Sequence, residues 1–71
     1  MANQQNFSVN SRHVMNVNFN SANGMCDVVV SEKQTGCTFS KSMVLDKYNQ
    51  LVDWLRDNDH GFAMMSIRSY F

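Results

Sequence analysis

The sequence predicts an α+β fold: a three-stranded antiparallel meander, one helix packed across it, and a fourth C-terminal strand, in the order β-β-β-α-β. Three observations carry that expectation. Met15, Val17 and Phe19 alternate with Asn16, Asn18 and Asn20, the period of a half-buried strand. The run Met25-Cys26-Asp27-Val28-Val29-Val30-Ser31 is rich in β-branched residues, which suit a pleated surface. From Val44 onward the apolar spacing changes: Val44, Tyr48, Leu51, Val52 and Leu55 follow the i, i+4, i+7, i+8, i+11 pattern of a helix face.

Residues 1–12 read as a polar N-terminal arm, and 13–71 as a single α+β domain. The opening Met1-Ala2-Asn3-Gln4-Gln5-Asn6 has neither the basic start nor the apolar stretch of a signal peptide. In the first strand, Asn repeats at the outward positions 16, 18 and 20 although it is a poor strand former. Burial of the opposite face therefore sets the conformation. Ser21-Ala22-Asn23-Gly24 supplies a turn, since Asn-Gly readily takes positive φ. The second strand points Cys26, Val28 and Val30 inward. Glu32-Lys33-Gln34-Thr35-Gly36 makes the next turn, and Cys37-Thr38-Phe39-Ser40 begins the third strand with Cys37 and Phe39 inward.

The helix is expected to start at an N-cap Ser42 or Asp46 and to stop at Asp57-Asn58-Asp59-His60-Gly61. Gly61 would hold a left-handed C-terminal position, and the His60 ring would meet the last carbonyls. Ala63, Met65 and Ile67 alternate with Met64, Ser66 and Arg68. This predicts the fourth strand, set parallel to the first and beside it by a right-handed crossover. Met25, Met43 and Met64 are the methionines this register leaves least buried.

With 71 residues, 44% hydrophobic and 17% charged, the chain has the composition of one small globular domain. Six basic residues balance six acidic ones. Direct nucleic-acid binding needs a surplus of Lys and Arg to displace counterions, and a DNA mimic needs a large acidic excess. Neither is present. No apolar run approaches the ~20 residues of a membrane span. Two cysteines without an export signal point to the cytoplasm and reduced thiols.

Catalytic and metal chemistry find little purchase. In the expected hairpin Cys37 lies opposite Glu32 while Cys26 sits at the far end of its strand. The two are about six residues apart, on the order of 20 Å, too far for a disulfide. His13, Cys26, Cys37 and His60 lack the paired spacing of a zinc site. Three scattered glycines make no phosphate loop, and a domain of one helix and one sheet rarely encloses a cleft for a nucleophile and its base. No enzyme activity, cofactor or metal is expected.

The outward side of the helix is more informative. At ~100° per residue, Asp46, Asp53 and Asp57 fall within about 20° of one line, flanked by Asn49 and Gln50. Asp57 and Asp59 also sit near the negative end of the helix dipole, where carboxylates work against stability. The stripe is either a solvated face or a contact for a basic surface. Trp54, at its border, is either a core residue with a wet edge or an interface anchor. Tyr70 and Phe71 either pin the last strand or present aromatic surface.

The segments His13-Val14-Met15-Asn16-Val17-Asn18-Phe19, Asn23-Gly24, Cys26-Asp27-Val28-Val29-Val30 and Leu51-Val52-Asp53-Trp54-Leu55 resemble, in layout, small phage-encoded inhibitors that include anti-CRISPR proteins. The resemblance covers most of the chain beyond residue 12. It implies a non-enzymatic protein that binds and blocks a host nucleoprotein complex or polymerase. Together with the helix stripe, the expectation is an interaction module that meets a basic surface of a host protein, nucleoprotein or defence complex through Asp46, Asn49, Gln50, Asp53, Trp54 and Asp57. The alternative is a small nucleic-acid-binding module. It would use Asn16, Asn18 and Asn20 on the outer sheet face, with Arg12 and Arg68 at phosphates and Phe62 or Tyr70 for stacking. A third reading is a homodimer joined through an exposed strand edge.

Overall fold

Alternation governs the backbone from the first described residues onward. The computed structural model describes residues 3–71. It contains strands β1 (Asn3–Ser8), β2 (His13–Asn20), β3 (Met25–Glu32) and β4 (Thr38–Val44), then helices α1 (Leu45–Asp57) and α2 (Ala63–Tyr70). The strands form one antiparallel sheet in the order β1-β2-β3-β4. The α+β class, the antiparallel meander and the helix across it are as the sequence predicts.

Each turn is made by the residue type its geometry requires. Gly24 (φ 68°) and Gly36 (φ 75°) take the left-handed conformation at the β2–β3 and β3–β4 turns, where a Cβ is disfavoured. Between β1 and β2 the Asn10 side chain does the work. Its Oδ1 accepts the backbone N–H groups of Arg12 (2.9 Å) and His13 (2.7 Å), reversing the chain without a glycine.

One sheet face is covered. His13, Met15 and Val17 of β2, Cys26, Val28, Val30 and Glu32 of β3, and Phe39 and Met43 of β4 are buried there. Against them α1 lays Tyr48, Leu51, Val52 and Leu55, and α2 lays Ala63 and Ile67. The inward sets expected for β2 and β3 are the observed ones, with Phe19 half-buried at the margin. The register across β3 and β4 places Cys37 opposite Glu32, whose N–H donates to the Cys37 carbonyl (2.9 Å). Cys26 instead pairs with Met43, and both thiols are free.

Several expectations are corrected. The expected polar arm contains a strand: β1 pairs with β2 through six registered residues, Asn3↔Phe19 to Ser8↔Val14. Its one apolar side chain, Phe7, gives no alternation to read, because backbone pairing rather than burial holds most of it. β1 thereby takes the edge of β2 that the C-terminal strand was to fill. That C-terminal segment is helix α2. Ala63 and Ile67 satisfy a four-residue helical spacing as well as an alternating one, and the surface left to cover beside β4 suits a helix. Met65, expected inward, is consequently 77% exposed.

Around α1 the corrections are local. Ser42 lies in β4, and the N-cap is Val44, with no side-chain cap bond. The strand runs straight into the helix, so Val44 belongs to the outer sheet face and is exposed. The C-cap is Asn58, not Gly61; its N–H reaches the carbonyls of Leu55 and Trp54, and its side-chain amide also donates to Trp54 O (2.7 Å). His60 turns away from those carbonyls: its Nδ1 accepts from the Phe62 N–H (3.2 Å). Cys37, expected inward, is exposed because β4 begins one residue later. Met43 is buried, whereas Met25 and Met64 are half-buried.

Candidate interaction surfaces

Three surfaces follow from this arrangement: the outward side of α1, the open face of the sheet, and the end of the molecule where the β1–β2 turn meets α1.

The amphipathic spacing of α1 turns Tyr48, Leu51, Val52 and Leu55 to the sheet and so turns the stripe to solvent. Asp46, Asn49, Gln50, Asp53 and Asp57 are all exposed. Among the described residues none of the three aspartates pairs with a Lys, Arg or His. Unpaired carboxylates on a rigid helix keep their full field for an incoming charge. Trp54 is half-buried at the border, its ring 5.7 Å from that of Tyr70 and 5.9 Å from that of Phe71. The C-terminal aromatics therefore pack on Trp54 instead of pinning a strand. Lys47 Nζ sits 5.8 Å from the Phe71 ring centroid, and Lys41 Nζ donates to the Phe71 carbonyl. Between these lysines, Tyr70 and Phe71 lies a pocket of about 270 Å³.

The open sheet face is amide- and hydroxyl-rich. It carries Gln4, Asn6 and Ser8; Val14, Asn16, Asn18 and Asn20; Met25, Asp27, Val29 and Ser31; and Thr38, Ser40, Ser42 and Val44. Ser42 donates to the Asp27 carboxylate across the β3–β4 pair, and Gln4 donates to Asn16 Oδ1 (3.3 Å). Asp27 is the one charge on this face among the described residues, and no ring lies on it to stack a base. Arg12 is in the β1–β2 turn, and Arg68 is on α2, on the covered side. Asn16, Asn18 and Asn20 are brought together as expected, but the two arginines are not brought to them.

The third surface was not legible as a site. Asn10 Nδ2 donates to the Leu55 carbonyl (2.7 Å), and Ser11 Oγ donates to Asp59. That hydroxyl, before any other influence, lowers the Asp59 pKa. Asp59 is thus a latch residue, not a free charge at the helix end. Because Asn10 Nδ2 is a donor, its Oδ1 is the acceptor, and His13 must donate from Nδ1 (2.9 Å). His13 Nε2 then faces Glu32 Oε2 at 3.9 Å, beyond a hydrogen bond, with both side chains buried. Burial pulls the His13 pKa below its ordinary value, opposed by the Glu32 charge. The sequence signal was the turn-forming Asn10 three residues before a histidine at an inward strand position. Only the register shows that Glu32 is its cross-strand partner.

Among the described residues there is no group of three His, Cys, Asp or Glu side chains placed to hold a metal ion, and no helix long and apolar enough to cross a membrane. The chain matches no protein-family model, no characterised protein and no solved structure.

Proposed function

We propose that this chain is a non-enzymatic interaction module whose α1 face binds a basic surface of a host protein or nucleoprotein complex, in the manner of small phage-encoded inhibitors. One observation carries the reading. Asp46, Asp53 and Asp57 stand on one outward line of a helix anchored by four buried residues, and all three are unpaired among the described residues. Asn49 and Gln50 add amides beside them, and the half-covered Trp54 gives the patch an apolar border backed by Tyr70 and Phe71. Such a face suits a surface of Lys and Arg that otherwise holds phosphate. Complementary charge at this kind of contact governs encounter rate and partner choice.

The open sheet face supports nucleic-acid binding less well, since it offers amides without cations or stacking rings. The test is the double reversal D53K/D57K. Wild-type protein captured with its partners from a host lysate at low salt is expected to lose them at high salt, and the reversal to lose them at both, with an unchanged thermal melt. Equal capture by both proteins would remove the proposal. A mobility shift of bare nucleic acid by the wild type would favour the sheet-face reading.

A further inference from the structure

We infer that β1 is a self-pairing edge, and that two copies of this chain join through it into one eight-stranded sheet about a two-fold axis at Asn6. Val9 N–H donates to the His13 carbonyl (3.1 Å). Along an antiparallel strand alternate residues direct their N–H and C=O to the same side, so Phe7 and Gln5 also face β2. Gln4, Asn6 and Ser8 then direct theirs away from the sheet. The β1–β2 register runs without a bulge from Asn3 to Ser8, leaving these three residues as a straight row with no backbone partner among the described residues.

Natural sheet edges are usually guarded by charge, proline, bulges or a covering element. The other edge strand, β4, carries the inward Lys41 and has α2 packed against it. β1, Asn3-Gln4-Gln5-Asn6-Phe7-Ser8, has no charge and no proline, and the substantial helix contacts fall on β3 and β4 instead. The absence of charge selects the occupant. In a two-fold antiparallel pairing each residue meets its own image or a close neighbour, and like charges there would repel. This strand meets itself without that penalty.

The register also follows. Centring the axis on Asn6 pairs Gln4 with Ser8 of the second copy, Asn6 with Asn6, and Ser8 with Gln4, so every outward group finds a partner. Centring it on Gln5 sets Ser8 opposite residue 2 of the second copy, outside the described strand. With the axis at Asn6, the two Asn6 side chains lie directly opposite on the open face, where each amide both donates and accepts. On the covered face Phe7 lies opposite Gln5 of the second copy, and the two Phe7 rings become diagonal neighbours, within reach of one another at about 7–8 Å between backbones. Phe7 is half-buried in the single chain, and the second copy would cover its remaining edge.

Sedimentation equilibrium over a concentration series tests this. Wild-type protein is expected to pass from 8.2 kDa to twice that mass as concentration rises. N6K sets two ammonium groups opposite each other at the axis, and N6P removes an N–H that points out of the sheet and so spares the β1–β2 ladder. Both are expected to stay at the single-chain mass while keeping the wild-type circular dichroism. If N6P does not fold, N6K alone decides. A wild type that remains at the single-chain mass throughout would overturn the inference, as would an N6K protein that still doubles in mass. Since the α1 stripe takes no part in this edge, D53K/D57K is expected to dimerise as the wild type does.

Discussion

Asn10 and His13 hold more of the molecule together than their size suggests. Asn10 uses both ends of one amide: Oδ1 gathers two backbone N–H groups and the His13 ring, and Nδ2 ties the turn to the Leu55 carbonyl of α1. Removing it leaves buried or half-buried partners unsatisfied, at about 1–3 kcal/mol. Asn10→Ala is therefore expected to lower the urea midpoint with little change in slope. His13 gives a pH dependence whose sign is fixed by burial. Its folded pKa lies below the ordinary value of 6.5, so the unfolded chain binds the extra proton first as pH falls. The contribution is complete above about pH 6.5 and is lost as pH drops towards the folded pKa. His13→Gln is expected to flatten that part of the stability profile. Glu32→Gln removes the charge that raises the His13 pKa, so the ring's titration, followed by NMR, is expected to move to still lower pH. A shift upward would contradict the role given to the Glu32 charge.

At the scale of elements, legibility tracked burial. β2, β3 and α1 were readable because one side of each is apolar at its own period, and the core they form is the one expected. Leu51 and Leu55 are fully buried in it; Leu51→Ala or Leu55→Ala is expected to cost about 2–5 kcal/mol in chemical denaturation. β1 was not readable, because a strand held by its neighbour's backbone needs no apolar alternation. α2 reads as a strand because Ala63, Met65 and Ile67 alternate, while Ala63 and Ile67 alone also fit a helical spacing, and only the occupied edge of β2 decides between the two. Met65→Ala discriminates the two: on the exposed side of α2 it is expected to change stability by no more than about 0.5 kcal/mol, whereas an inward strand position would cost several-fold more. Of the candidate site, the aspartate stripe was legible from helical periodicity alone. The packing of Tyr70 and Phe71 onto Trp54 was not, since it depends on α2 being a helix that brings the chain back beside α1.

For the whole molecule, the question is how much of so small a domain the N-terminal strand supports. A chain of 71 residues at the usual 0.05–0.15 kcal/mol per residue has roughly 4–11 kcal/mol of stability. Phe7 packs half-buried against the core cluster; Val9, buried there too, follows β1 and stays when the strand is deleted. A fully buried side chain of this kind contributes about 1.5–3 kcal/mol, and β1 adds six registered positions of backbone pairing to β2. Losing the strand therefore removes a large share of the total, and it also exposes the β2 edge beside Met15 and Val17. Deleting residues 1–8 leaves the Asn10 turn and its clamp on α1 intact, so the effect isolates the strand. The truncated protein is expected to show a much lower urea midpoint than the full chain, followed through the fluorescence of Trp54, the one tryptophan. A dispensable polar arm would leave the midpoint where it was. The same deletion removes the self-pairing edge but not the aspartate stripe. Whatever truncated protein remains folded is therefore expected to keep the partners that D53K/D57K loses, because the contact face stands on α1 and the assembly edge on β1.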